Sequence, residues 1–373
     1  MNFDLSDEQR MLGDAVTAFL GKAYRFEDRR ARDDGVGDPR AMWRQLCELG
    51  VVSLPFDADC GGIGGGPVES MIVQEAFGAA LVLQPYLSCS VMAGNALQRL
   101  AWPGLKSSLL PRIASGETIV AWSHDDAADS LRAVRTSQGW LLHGERRVVL
   151  GAGLADQVLV TAAIEGGDGW AIFLVGMGQQ GLARSAYRMP DQHDAADLLF
   201  DGVAVPLDHL IGEPGAVLAD IAWVQDLGIA AVCAEAVGAM AECLRATVQH
   251  LSVRQQFGVA LSTMQALRHR VADMQVELEL SRSMMMYAAA CCGDEDAPRR
   301  AMAMSAAKVR IGRAGRHIGQ EAVQLHGGMG MTEECKAGHL LRRLVVIDML
   351  FEDSDEHLRR LADAGGLIEA AAW

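Results

Sequence analysis

Residues 324–332, QLHGGMGMT, end a long Ala- and Met-rich helical pattern and put glycines where the next helix should begin. Paired glycines leave the main chain uncovered, so a flat or phosphorylated ligand can approach amide N–H groups that side chains would otherwise shield. The same break also serves as an ordinary glycine C-cap. About seventy residues upstream, RQQFG at residues 254–258, followed by Gln265, supplies complementary groups. The always-charged guanidinium of Arg254 suits a pyrophosphate, Phe257 can pack on a ring, and Gly258 lets the chain turn closely past them.

Both segments sit in helical surroundings. Met264, Leu267, Val271, Met274, Leu278 and Met285 recur as one apolar stripe. Met304, Ala307, Ile311, Ala314, Ile318 and Leu325 form a second, whose small residues let neighbouring helices approach closely. Methionines at this spacing are core filler rather than a metal or haem ligand set. Upstream of about Gly215 the pattern changes. From Thr118 the apolar runs shorten to TIVAW, WLLHG, RVVLG, QVLVTAA, GWAIFLVGM and DLLFDGVAVP, separated by turn residues. This predicts an antiparallel sheet or small barrel ending at Pro206.

Residues from about 5 to 115 read as helical again. Ser6 and Gln9 form a capping box, and Leu5, Leu12, Val16 and Phe19 follow at helical spacing. Breaks at residues 35–39 and at GGIGGGP, residues 61–67, divide this region; the glycine run lacks the order of a dinucleotide loop and reads as a turn. The expected class is α+β, with an N-terminal helical domain at residues 1–115, a middle β domain at 116–214 and a C-terminal helical bundle at 215–373.

Composition narrows the function. With 50% apolar residues in 373, the chain can bury a sizeable core. A formal charge of -15 argues against a nucleic-acid partner, which needs a basic face. No uninterrupted apolar run of about eighteen residues occurs, and Asp4, Asp7 and Glu8 stand where a signal peptide would be basic. The expectation is a cytoplasmic chain with no membrane span. The eight cysteines show no C-x-x-C spacing and read as buried small hydrophobes, with no metal expected. G-x-S-x-G, H-E-x-x-H and Walker A patterns do not occur, which argues against serine hydrolase and metalloenzyme chemistry.

Together, RQQFG and QLHGGMG resemble the acyl-CoA dehydrogenase family of flavoproteins, in which the two strips come from different subunits and jointly hold FAD. The resemblance extends to FDLSDEQRMLGDAVTAFL at residues 3–20, ELGVVSLPFDADCGGIGGG at 48–66 and DLLFDGVAVPLDHLIG at 197–212. CAEAVGAM at 233–240 and LFEDSDEHLRRLA at 350–362 are similar to the small-subunit type of bacterial acyl-CoA dehydrogenase, as in pimeloyl-CoA dehydrogenase. The resemblance implies the acyl-CoA dehydrogenase fold, whose final helices form a four-helix bundle at a tetramer core. Such a core would account for apolar stripes larger than one chain could bury. It also implies FAD as cofactor, an acyl-CoA substrate, and electron-transfer flavoprotein as electron acceptor. The assembly would be a homotetramer, or an α2β2 heterotetramer with a homologous subunit.

The family's reaction removes a proton from the carbon next to a thioester and passes a hydride from the following carbon to flavin N5. A carboxylate base of raised pKa suits the first step. Many members carry it in an E-G-T strip nine residues after an Arg. Counting from Arg343 gives Glu352, with Asp353 in place of the glycine and Ser354 keeping a hydroxyl for the cofactor. The acidic run around Glu352 also reads as a helix first turn favoured by the dipole. Other relatives carry the base on the helix before RQQFG, where this chain has Gly228 and, two residues away, Asp226.

In the β domain, Ser123 in AWSHDDAADS is the expected flavin-ring hydroxyl. Val148 and Leu150 replace the family's indole and threonine, removing a stacking face and a hydrogen-bond donor. The nucleotide contacts implied by the resemblance are kept: Arg254, Phe257 and Gln265 from one protomer, and Gln324, Gly327 and Gly328 from its neighbour. Two readings follow. One is a dehydrogenase subunit acting on a CoA ester, leaning by resemblance toward dicarboxylic, cyclic or steroid-side-chain acyl groups. The other is a silent subunit that lends part of the FAD site to a homologous partner.

Overall fold

The computed structural model describes residues 4–28, 38–127, 130–167 and 169–365. Ser6 opens helix α1 (Asp7–Ala23): its Oγ accepts from the Gln9 N–H at 3.1 Å, and the Gln9 side chain accepts from the Ser6 N–H at 2.9 Å. The reciprocal cap is the one the sequence predicts. Helices α2 (Ala41–Glu48), α3 (Pro67–Ala80), α4 (Asn95–Leu100) and α5 (Pro103–Ala114) follow, with a fully buried π-helical segment at Leu87–Gly94.

Eight strands come next: β1 (Val120–Ser123), β2 (Leu131–Arg135), β3 (Gly139–Leu150), β4 (Gln157–Ile164), β5 (Trp170–Gly176), β6 (Leu182–Arg188), β7 (Asp194–Pro206) and β8 (Leu210–Ile211). Among the described residues five α-helices follow: α6 (Leu218–Val253), α7 (Gln265–Cys291), α8 (Ala297–His326), α9 (Lys336–Met349) and α10 (Ser354–Asp363). Helical, β and helical segments succeed one another, and the class is α+β as expected.

The sheet corrects the expectation in two respects. Its order is β6-β7-β3-β2-β4-β5-β8, with β1 also on β4, and β8 carries it past Pro206. It is mixed rather than antiparallel. Strands β1 and β2 both run parallel to β4: β3 runs antiparallel to β2, and the connection over residues 151–156 turns the chain back into the sense of β2 before β4 begins. Strand β3 pairs with β7 over nearly its full length, with register shifts between Leu142 and His143 and between Arg146 and Val149.

Two compact units divide the chain: Met1–Asp34, Pro67–Val82 and Ile229–Trp373 form one, and Gly35–Gly66 with Leu83–Gly228 form the other. The second unit holds the sheet. Its core includes Trp43, Phe56, Phe173 and Phe200. In the first unit α3 crosses α6 so closely that a Cβ on Gly78 would sit 1.9 Å from the Glu235 carbonyl oxygen. One on Gly238 would sit 1.8 Å from that of Glu75. Only glycine at both positions permits this approach.

All six residues of the second apolar stripe, from Met304 to Leu325, are buried within the one chain. Helix α8 is central, with α7, α9 and α10 packed around it. This stripe therefore needs no partner to cover it, contrary to the expectation. The first stripe differs: Met274, Leu278 and Met285 are buried, whereas Met264, Leu267 and Val271 are only half-buried. By length and composition α6 would pass for a membrane span, but 94% of that apolar window is buried inside the protein.

Candidate functional site

After α6, Gln255–Gln256 pairs antiparallel with Val259–Ala260 across a two-residue turn. Both turn residues are left-handed, Phe257 at φ 55° and Gly258 at φ 80°, the backbone a tight hairpin needs. Arg254 stands at the base of the hairpin, its N–H donating to the His250 carbonyl at 2.9 Å to close α6. At the end of α8 the chain enters a 3-10 turn, Gly327–Met331, with Gly327 at φ 63° and ψ -146°. This region of backbone space is essentially reserved for glycine. A Cβ added to Gly327 or Gly328 would meet nothing within 4 Å, so the main chain there is open.

These two segments line one groove of about 620 Å³. Arg254, Gln324, Gly327 and Gly328 all face it, together with His250, Gln256, Arg270 and His326. Hairpin and glycine turn meet within this single chain, where the ends of α6 and α8 lie side by side. Phe257 and Gln265 do not line the groove. Phe257 is 90% exposed at the hairpin tip, and Gln265 is exposed at the first residue of α7.

The groove is basic. The Arg270 Nε pairs with Glu321, and that partner holds its guanidinium above its ordinary pKa. The rings of His250 and His326 stack at 4.6 Å between centroids. Sequence reasoning missed both histidines, although His250 lies one helical turn before Arg254 and His326 belongs to the quoted segment.

The candidate base belongs to the link between α9 and α10. Phe351 (φ 56°) and Glu352 (φ 68°) are both left-handed without being glycine. Such a pair persists only where its surroundings hold it. Lys308, fully buried on α8, donates from Nζ to the carbonyls of Ile347 at 2.8 Å and Asp348 at 3.0 Å, capping α9. Burial pushes its pKa down. The equally buried His357 donates from Nε2 to the Phe351 carbonyl at 2.8 Å, while its Nδ1 accepts from the Ser305 hydroxyl at 3.1 Å. Burial pushes its pKa down to about 4, so it is neutral at physiological pH.

Asp353, in the place of the family's glycine, is the N-cap of α10. Its Oδ1 accepts from the N–H groups of Asp355 at 3.1 Å and Glu356 at 2.9 Å, and these bonds hold its carboxyl below the usual range. The helix-start reading of this acidic run is therefore correct for Asp353. Glu352 precedes the cap, exposed and ion-paired with Arg360.

Ser354 is buried, and its hydroxyl is engaged by the Asp348 carboxylate, whose other oxygen takes the Arg316 Nη2 at 2.7 Å. A Cβ on Gly312 would stand 2.1 Å from Asp348 and 2.5 Å from Ser354, so this glycine makes room for the pair. Ser354 lines a smaller cavity of about 270 Å³ with Arg313, Arg316 and His317.

In the other unit, Ser123 is buried at the end of β1, opposite Val160. Val148 is 47% exposed and left-handed at φ 52°, in the bulge of β3, with its N–H on Asp197 at 2.9 Å. Asp226 is buried on α6.

Two family models match the chain: Acyl-CoA dehydrogenase, N-terminal domain, over residues 6–117, and Acyl-CoA dehydrogenase, C-terminal domain, over residues 226–364. The chain is 25% identical to a probable acyl-CoA dehydrogenase of Bacillus subtilis, YngJ, over 99% of this chain and 100% of that protein. Among solved structures it is similar to the ChsE4–ChsE5 complex of Mycobacterium tuberculosis, with a TM-score of 0.88 at 23% identity over 97% of this chain and 98% of that one. It is also similar to a glutaryl-CoA dehydrogenase of Mycobacterium smegmatis in complex with FADH2, with a TM-score of 0.88 at 21% identity over 99% and 96%.

Proposed function

Because the chain belongs to the acyl-CoA dehydrogenase family, we propose that it binds FAD and dehydrogenates an acyl-CoA thioester to the trans-2-enoyl-CoA. The observation that carries the reading is the groove where Arg254 faces the open main chain of Gly327 and Gly328. A diphosphate fits that combination: a guanidinium supplies fixed positive charge, and side-chain-free amides can close on phosphate oxygens. FAD, when bound, supplies the hydride acceptor for the β carbon. Glu352 is the residue proposed to take the α proton. Its carboxylate, now paired with Arg360 in the left-handed link before α10, must leave that partner to do so.

The test is Glu352→Gln in the FAD-loaded protein. We expect turnover to fall by about 10²- to 10⁴-fold, the range for removal of a general base, with FAD retained. Unchanged turnover removes Glu352 from the mechanism.

A second reading is favoured by the β domain and the Glu352–Arg360 pair: a non-catalytic small subunit of an α2β2 heterotetramer, contributing part of the FAD site to a homologous chain. Exposed Val148 offers no aromatic face to a flavin ring. Purified alone, a catalytic chain is yellow and bleaches anaerobically with acyl-CoA. A silent subunit is colourless and takes up FAD only when mixed with its partner. In the first case electron-transfer flavoprotein is the proposed acceptor.

A further inference from the structure

The last turns of α6 and α8 each bring one histidine to the same wall of the groove. The rings of His250 and His326 stack with centroids 4.6 Å apart and planes 27° from parallel. His326 Nδ1 is fixed as a donor to the Ala322 carbonyl at 2.7 Å, which leaves its Nε2 to gain a proton and meet a ligand. Around the pair stand Arg254 and Gln256 from the hairpin, Arg270 from α7 with its carboxylate partner Glu321 on α8, and the amides of Gly327 and Gly328. Burial first, then His326 and Arg254, hold His250 below the ordinary imidazole range.

Charging both of two imidazoles in face contact beside a guanidinium is opposed by like-charge repulsion. A diphosphate reverses that balance, because its negative charges favour the protonated ring and give it an acceptor. We propose that His250 and His326 are ligands of the cofactor's diphosphate, and that binding draws about one proton from solution into the pair. This rests on the reading of the groove as the seat of the cofactor's phosphate-bearing end.

Calorimetric titration of FAD into the flavin-free full-length protein, in buffers of different ionisation enthalpy near pH 7, reads the proton count directly as the slope of observed against buffer enthalpy. The expected slope is about one proton taken up, falling to zero by about pH 9, and ADP-ribose gives the same slope because its diphosphate, like that of FAD, is esterified at both ends. His250→Phe with His326→Phe keeps the stack and removes the titration. It abolishes the slope and weakens FAD by about tenfold near pH 6.5, with little change near pH 9. Tight binding with zero slope in the unaltered protein, or an unchanged slope in the double variant, overturns the inference while leaving the groove reading intact. No FAD or ADP-ribose binding at any pH overturns both.

Discussion

His357 Nε2 donates to the carbonyl of Phe351 at 2.8 Å and thereby ties a fully buried imidazole on α10 to the first of two left-handed residues. Glu352 is the second, so the bond reaches the candidate base through one peptide unit. Left-handed backbone without glycine costs of the order of 1 kcal/mol or more per residue, and the imidazole offsets part of that cost.

Replacing His357 with Leu should therefore destabilise the protein by about 2–3 kcal/mol and lower kcat more than it raises KM. His357→Gln, whose amide can reach the same carbonyl, should recover most of both. The pH dependence has a definite sign. The folded-state pKa of about 4 lies below the ordinary 6.5, so the unfolded chain binds the proton first. This residue's contribution is complete above pH 6.5 and is lost as pH falls from there toward about 4, by roughly 3 kcal/mol. Urea unfolding across that range should show a slope in the unaltered protein that the Leu variant lacks. Equal slopes would assign the acid sensitivity to other groups.

A second relationship holds the helices beneath this link. Arg343 on α9 and Glu235 on α6 are both buried and meet through two bonds of 2.6 Å, Nε to Oε1 and Nη2 to Oε2. Arg343→Met strands a buried carboxylate and should cost about 3–5 kcal/mol in urea unfolding. Adding Glu235→Met removes the stranded charge and should restore most of the loss. A double variant as unstable as the single one would mean that packing, and not charge, is what Arg343 contributes.

How far the sequence could be read depended on where each signal is stored. The helical, β, helical order followed from periodicity, and the Ser6 cap from two residues three apart, because both are local. The parallel pairings of β1 and β2 with β4 were not legible, since strand direction in a mixed sheet depends on connections far apart in the chain. Likewise, Arg254 and Gly327 carried recognisable chemistry, yet only the side-by-side ends of α6 and α8 place them in one groove. Asp353 departs from the family's glycine, and its reason, an N-cap to α10, lies in backbone geometry that the sequence pattern does not print. The supports of Glu352, Lys308 and His357, were invisible for a related reason. A lone lysine or histidine in a helical stripe has no pattern until its buried carbonyl partners are known.

Arg254 gives a prediction about the cofactor that does not depend on the base. The side chain is exposed at the hairpin base, so Arg254→Gln should leave thermal stability nearly unchanged. FAD affinity, followed by flavin fluorescence, should fall about 10- to 100-fold, and raising the salt concentration should weaken the unaltered protein more than the variant. Arg254→Lys should recover only part of the affinity, because an ammonium lacks the paired donors of the guanidinium. Identical salt dependence in all three proteins would place the phosphate elsewhere.

The glycine turn separates backbone conformation from backbone access. Gly327 has φ 63° and ψ -146°, so Gly327→Ala forces a strained conformation even though its Cβ would meet nothing within 4 Å. It should lower both the melting temperature and FAD affinity. Gly328 carries no such left-handed φ and the same open surroundings, so Gly328→Val should fold normally. Its added methyls would nonetheless cover the amides that a diphosphate approaches, and FAD affinity should drop at least tenfold at an unchanged melting temperature. If Gly328→Val binds FAD as tightly as the unaltered chain, the cofactor does not lie against this turn, and the groove between α6 and α8 must serve some other ligand.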